Sequence, residues 1–431
     1  MTTAISSASL GDLSSPTSTR SPRITSIDAL RGLIMFAMIY VNDIAGASSA
    51  IVPWWMRHYK ADGNGMTFVD LVFPGFLFVV GMSIPFALGS RIAKGEPLWR
   101  VLLHVALRTL SLLFIGIVMV NESPDSDKMG WSASLWSALM FLSAILAFSV
   151  VSPPSRSPSP ANRKSTSQIL GLALRIVGFA SLVFLIFAYR GQDDHRIVTL
   201  VPFSIHTEWY GILGLIGWAY LVAAIVYLLF RTHRTALLAC VVLLFCLYPA
   251  DRKGMFDGFW LANYVGIGGM LGSQAAIAVA GLLLASVLVA PDITTTGSRV
   301  RFTFLFIAGC SIGAWLLHGL YGINKNGATP SWCLWACAIT ATLWLLFYGL
   351  SDVLPLRFLT RPFAIAGQNV LLAYLLHNLL YPTLDLLHLD NWYYHLAQPD
   401  LAHAVGRSVG CAVVILTVSS LLNRVGFRLR L

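Results

Sequence analysis

A run of about twenty apolar residues is the length that carries an α-helix across the hydrocarbon core of a bilayer. This 431-residue chain repeats such runs from end to end. They recur near 27–47, 68–90, 100–120, 132–152, 169–188, 209–230, 235–250, 271–290, 302–320, 332–351, 363–381 and 404–423, the seventh being the shortest. With no water in the bilayer core, each backbone N–H and C=O must be satisfied within its own segment, which selects helices over open sheets. The expected fold is therefore all-α, a polytopic membrane helix bundle of about twelve transmembrane helices. Only 11% of the residues are charged and 57% are hydrophobic. A soluble domain has about 25% charged residues, so an ordinary soluble protein is excluded.

The net charge of +10 is no footprint of nucleic-acid binding, because its distribution follows the loops. Arg91, Lys94 and Arg100, then Arg156, Arg163 and Lys164, Arg231 and Arg234, Arg299 and Arg301, Arg357 and Arg361, and finally Arg424, Arg428 and Arg430 fall in alternate loops. Most acidic residues fall in the others. Lys and Arg gather on the cytoplasmic side, so both termini are expected to be cytoplasmic and the loop holding His58 to face outward. Residues 1–22, rich in Ser and Thr with no apolar h-region, read as a disordered cytoplasmic tail and not as a signal peptide. Residues 23–431 read as one transmembrane domain, with a basic Pro/Ser cytoplasmic linker at 152–168. The six cysteines fall in or at the edges of spans, and neither they nor His388, His395 and His403 have the spacing of a metal site. No metal is expected.

The runs 27–46 and 66–89 are joined by a polar loop with the sequence WWMRHYKADGNGMT. Together they bring Asn42, His58 and Asp70 to one face of the membrane. Polar side chains at membrane depth are costly enough to suggest function. His58 is either a solvated loop residue or a base that Asp70, at the start of the next span, orients. Asn42 is either interhelical glue or a donor to developing charge. At the other end of the first span, Ser26 reads as an N-cap, and Asp28 and Arg31 lie i,i+3. They form a simple ion pair, or else Arg31 meets an anionic cofactor. Arg108, two turns inside the third span, either snorkels to the interface or faces inward to hold an anion. The outer loop with Asn324, Lys325 and Asn326 can bind a sugar. Asn369 and His377, eight residues apart on one late span, can do the same, or all of these can join helices.

The stretches RITSIDALRGLIMFAMIYVND, HYKADGNGMTFVDLVFPGFLFVVGMSIPFAL and ALRTLSLLFIGIVMVN resemble, in that order, the start of the membrane domain of heparan-α-glucosaminide N-acetyltransferase and its bacterial relatives. HTEWYGILGLIGWAYLVAAIVYLLF, GINKNGATPSW and GQNVLLAYLLH extend the likeness, which is weakest between Asn121 and His206. The bacterial NagX-type inner-membrane proteins are the most similar in kind. The resemblance implies a multi-pass enzyme of the bacterial inner membrane that passes acetyl from cytoplasmic acetyl-CoA to a glucosamine amine on the far side. It implies His58, Asn42 and Asp70 as the catalytic residues. Such an enzyme would meet the phosphates of acetyl-CoA with Arg108, Arg31, Arg91 and Arg100, and the aminosugar acceptor with Asn324, Lys325, Asn369 and His377. The other partner is the lipid bilayer, with a homodimer left open. The chief rival is a secondary transporter for N-acetylglucosamine. Transporters often carry inverted repeats, and no internal repeat is visible in this sequence.

Overall fold

The structure, a computed structural model, describes residues 24–431 apart from 122–123, 152–160, 193–194, 202, 208 and 355. The expected tail at 1–22 and the start of the linker lie outside the described residues. The helices are α1 (Thr25–Ile44), α2 (Val72–Ala93), α3 (Leu98–Val120), the single turn α4 (Ser126–Met129), α5 (Ala133–Ala147), α6 (Ala161–Ala188), α7 (Gly211–Phe230) and α8 (Arg234–Arg252). They continue with α9 (Ala275–Val289), α10 (Thr296–Tyr321), α11 (Pro330–Tyr348), α12 (Arg357–Ala366), α13 (Val370–Leu386), the short α14 (Asp390–His395) and α15 (Leu401–Arg424). Among the described residues, nine helices are long and apolar enough to cross a membrane, or ten if the bent pair α12–α13 is one span. The chain is a multi-pass membrane protein.

The bundle is organised around α9, in which every residue from Ala275 to Val287 is buried. A helix apolar on all faces belongs inside. Its closest neighbour is α2, and small residues set the approach. A Cβ added at Gly81 would meet the Ala278 carbonyl, and one added at Gly281 the Phe78 carbonyl, so the two backbones touch at a reciprocal glycine pair. Close backbone contact through small residues is how membrane helices gain packing without a hydrophobic drive. By contrast α8 and α10 turn long rows of large apolar side chains outward, among them Leu238, Leu243, Phe304, Trp315 and Leu320.

Four sequence expectations change in detail. Ser26 does not cap α1: the helix starts at Thr25 with Ile24 as N-cap, and Ser26 is buried inside the first turn with its N–H donating to Asp352 Oδ2 at 3.3 Å. The seventh apolar run, the shortest in sequence, belongs to a full-length helix, the 19-residue α8, because Arg234 and Arg252 end it without breaking it. The fourth run stops as a helix at Ala147. Beyond it Ser149–Val151 forms strand β1, whose β-branched valines suit a strand. It pairs antiparallel with Phe427–Leu429 near the C-terminus, and Val198–Leu200 with Phe203–Ile205 makes a second two-stranded sheet. The second part of the expected linker is the first turns of α6, which starts at Ala161.

The run at 363–381 is broken. Between α12 and α13 the axis bends by 64°. A Cβ at Gly367 would meet the Asp28 carbonyl of α1. Gln368 accepts from Asn423 Nδ2 at 3.0 Å, and Asn369 bonds the backbone of Phe427 and Leu429, so the Gly-Gln-Asn segment forms contacts with three other elements instead of a helical turn.

Candidate active site

His58 reaches its place because two loops are fastened together. The N–H of Gly65 donates to the Ile323 carbonyl at 2.8 Å, and Asn64 Oδ1 accepts from the Ile323 N–H at 2.7 Å. Asn324 Nδ2 donates to the carbonyls of Ala61 at 2.8 Å and Gly63 at 3.0 Å. The loop after α1 and the loop after α10 thereby form one unit at the end of the bundle where α1 finishes and α2 begins. A 3₁₀ turn, Phe68–Leu71, opens α2 and carries Asp70.

Asp70 is buried, with 2% of its side chain exposed, whereas 48% of the His58 side chain is exposed. The two are joined by Asp70 Oδ1 and His58 Nδ1 at 2.8 Å. Asp70 Oδ2 accepts from the N–H of Tyr59 and the N–H of Thr67, each at 3.1 Å, and from Thr67 Oγ1 at 3.3 Å. Those three donors hold the carboxylate so that only Oδ1 faces the imidazole.

Lys325 is the third member. Its Nζ lies 3.0 Å from His58 Nδ1 and 3.6 Å from Asp70 Oδ1. Burial pushes its ammonium below the usual lysine range, and the Asp70 carboxylate pulls it back up. One ring nitrogen cannot donate to Asp70 and accept from Lys325 at once. The contacts therefore describe two proton arrangements. In the first, Nδ1–H donates to Asp70 and leaves Nε2 free to take a proton. In the second, Lys325 donates to Nδ1.

His58, Lys325, Asn326, Asn42 and Gln274 line one cavity of about 370 Å³, whose walls are otherwise apolar, with Met38, Phe73 and Trp209 among them. Among the described residues the Asn42 side chain makes no hydrogen bond, so its amide is available to a ligand. A smaller cavity of about 80 Å³ adjoins it, shares Met38 and Ile212 as walls, and contains Arg108. Arg108 is ten residues into α3, about 15 Å along its axis at 1.5 Å per residue. Its guanidinium lies 4.7 Å from the Tyr220 ring, and its buried Nε has no hydrogen-bond partner among the described residues. It does not snorkel.

The remaining residues singled out in the sequence lie elsewhere. Arg31 bonds Asp28 at 3.0 Å, Ser83 Oγ at 2.6 Å and the Gly367 carbonyl at 3.3 Å, which ties α1 to α2 and to the break after α12. Arg91 pairs with Glu96 at 2.9 Å, and Arg100 lies 5.1 Å over the Trp99 ring. Asn324 fastens loops, and Asn369 holds the C-terminal strand. None of these five lines either cavity.

His377 belongs to a buried cluster around Asp43 that sequence reasoning passed over. Asp43 Oδ1 accepts from Arg407 Nε at 3.0 Å and Ser408 Oγ at 2.6 Å, and Oδ2 from Tyr393 at 2.5 Å and Tyr381 at 3.2 Å. His377 Nε2 lies 3.1 Å from the Tyr381 hydroxyl. Ligand atoms of Asp43, His377 and Cys411 lie within 4.8 Å of one another, but both Asp43 oxygens already accept two donors, so a cation would have to displace them. The cluster fastens the end of α1 next to Asn42 to α13, α14 and α15. The signal in sequence was a run of two polar residues, Asn42 and Asp43, at the end of an apolar helix. Nothing in sequence pointed to Arg407 as the partner.

Comparison with known proteins finds similarity over part of the chain. Residues 23–234 match a family model described as "Domain of unknown function (DUF5009)". Over 110 residues, 26% of this chain, it is 36% identical to the heparan-alpha-glucosaminide N-acetyltransferase of Homo sapiens. Over 109 residues, 25% of this chain, it is 31% identical to the enzyme of the same name from Mus musculus. The matched region spans only 16% of the length of either relative. The likeness is distant and covers only a part of this chain and of its relatives.

Proposed function

We propose that the protein is a membrane acetyltransferase that passes acetyl from cytoplasmic acetyl-CoA to the amine of glucosamine or a related aminosugar on the periplasmic side of a bacterial inner membrane, as a NagX-type protein. The carrying observation is the buried Asp70 carboxylate bonded to His58 Nδ1 at 2.8 Å in the wall of a cavity shared with Asn42. An aminosugar ammonium cannot attack a thioester until a base takes its proton, and an imidazole suits that task near neutral pH. With Nδ1–H held by Asp70, Nε2 of His58 accepts the proton. The amine nitrogen bonds the thioester carbon, the C–S bond breaks, and the departing thiolate takes up the second proton that the nitrogen sheds on becoming an amide. Asn42 donates its amide N–H to the carbonyl oxygen as charge develops, the role of an oxyanion donor.

The donor's path is supported by the adjoining cavities. Arg108 supplies an unpaired guanidinium nitrogen midway through the bundle, and Met38 and Ile212 separate it from the His58 cavity. Arg31, Arg91 and Arg100 lie at the inner end, where they add positive potential for coenzyme A phosphates. In this reading α1, α5 and the bent pair cross the membrane along with the nine helices already named as long and apolar enough, making twelve crossings with both termini cytoplasmic.

Purified protein in detergent is expected to release free CoA from acetyl-CoA only when glucosamine is present, and His58→Ala to lose that release while still binding CoA. Release that ignores glucosamine, or full turnover in His58→Ala, overturns the reading. The bend of 64° between α12 and α13 favours one alternative, a transporter for N-acetylglucosamine, because transporters build their sites from broken helices. Uptake of labelled N-acetylglucosamine into proteoliposomes without acetyl-CoA would select it.

A further inference from the structure

Gln274 is a polar wall of the His58 cavity that the proposed chemistry leaves unused, and it comes from the bundle interior where Lys325 and Asn326 come from the outer loop. It is the last residue of a π-helical segment, Ile267–Gln274, that leads into α9. The segment is rich in glycine, and its start is fixed by the Gly268 N–H donating to Asp251 Oδ2 at 3.0 Å. A π-turn takes up one more residue than an α-turn and often occurs at functional sites. Here it brings a long polar side chain to the cavity wall at the head of a helix that is apolar but for Ser286.

The side chain is 8% exposed, and its Oε1 has no hydrogen-bond partner among the described residues. A buried carbonyl oxygen left unsatisfied costs about 1–3 kcal/mol, so unpaired groups of this kind call for an explanation. Rotation about the terminal amide torsion, which is broad, exchanges the oxygen and nitrogen ends across the cavity wall. A donor on a ligand would satisfy the amide there.

We propose that Gln274 is a specificity residue that accepts a hydrogen bond from a hydroxyl group next to the reacting amine, so that the site selects vicinal amino alcohols over simple amines. This rests on the acetyl-transfer reading. The reacting amine itself goes to His58, and the acetyl carbonyl can only accept, so neither satisfies Gln274. An acceptor hydroxyl one carbon away from the amine can. Lys325 can only donate and Asn42 is taken by the acetyl carbonyl; of the acceptors left on the wall, Asn326 and Gln274, only the Gln274 oxygen is both buried and without a partner among the described residues.

The test compares trans-2-aminocyclohexanol with cyclohexylamine, which differ by that single hydroxyl, as acceptors for the purified protein with acetyl-CoA. A site built to bond a substrate hydroxyl rejects the analogue lacking it by large factors, so the wild-type kcat/KM ratio is expected to be about 100 or more. Gln274→Met is expected to bring the ratio below about 10 with the acetyl-CoA KM unchanged. Gln274→Glu keeps an acceptor and should keep the preference. A wild-type ratio below about 10 overturns the inference even if the Met variant fails to fold. So does a Met variant with an unchanged ratio, or one in which only the acetyl-CoA KM moves, since Gln274 would then serve the donor. If no amine, glucosamine included, triggers CoA release, the acetyl-transfer reading itself fails and takes this inference with it.

Discussion

Replacing Asp70 by Asn tests the centre of the site with the smallest possible change in shape. In the wild-type protein Oδ2 faces two backbone N–H donors, Tyr59 and Thr67, and Oδ1 faces His58 Nδ1. An asparagine must point its NH2 at one side or the other. Toward Tyr59 and Thr67 it would oppose two backbone donors that cannot turn away, and toward His58 a ring that can change its tautomer and a flexible Lys325 ammonium 3.6 Å from Oδ1. The amide nitrogen is therefore expected to face Nδ1, which must then act as acceptor, so the ring proton moves to Nε2 and the base is lost. Loss of a positioned base lowers the rate by about 10²–10⁴-fold, and the wrong tautomer places Asp70→Asn near the upper end. Two backbone bonds survive, so the stability cost is that of one hydrogen bond to a charged group, about 1.5–3 kcal/mol. The assay is glucosamine-dependent CoA release by protein that still elutes as a single species in detergent. A variant within about tenfold of wild-type turnover would refute the Asp70–His58 reasoning.

Arg108→Ala is expected to raise the acetyl-CoA KM far more than the glucosamine KM, with Arg108→Lys recovering part of the loss, because a planar guanidinium bonds phosphate in a way an ammonium does not. An unchanged acetyl-CoA KM with a lower melting temperature would make Arg108 a structural group resting on Tyr220. Arg407→Met should destabilise the protein by about 3–5 kcal/mol, because it strands the buried Asp43 carboxylate; a thermal melt in detergent that matches wild type would disprove this. For topology, Asp62→Cys in intact cells should react with an impermeant thiol reagent while Gly95→Cys does not, since the two positions lie at opposite ends of α2 and the Lys/Arg bias puts the latter inside. Equal labelling of both would reverse the placement of His58.

Much of the architecture was legible because helix formation in an apolar run is local. Each backbone group finds its partner four residues away, so length and hydropathy suffice to find the helices, and α8 proved longer than its apolar run. Where a run failed as a single helix, the cause was long-range. Gly367 gives way to the Asp28 carbonyl of α1, and Asn369 bonds a strand some sixty residues ahead. Val150 and Val151 leave the helix to pair with Arg428 and Phe427. No pattern within the run announces such partners.

The site divides in the same way. His58 and Asp70 are twelve residues apart on one loop, so their pairing could be read from sequence, and Asn42 lies on the helix that feeds that loop. Lys325 is 267 residues from His58, and only the fastening of Asn64 and Gly65 to Ile323 brings it there. Arg407 is 364 residues from Asp43, and Gln274 reaches the cavity through a π-turn that hydropathy does not register. Sequence by itself determined which segments are helices and which loop holds the imidazole, because those depend on hydropathy and short spacing. Tertiary structure alone decided which remote polar groups meet that imidazole. Burying a charge or an amide is tolerable only where partners from other helices converge, and that convergence is a property of the packed bundle.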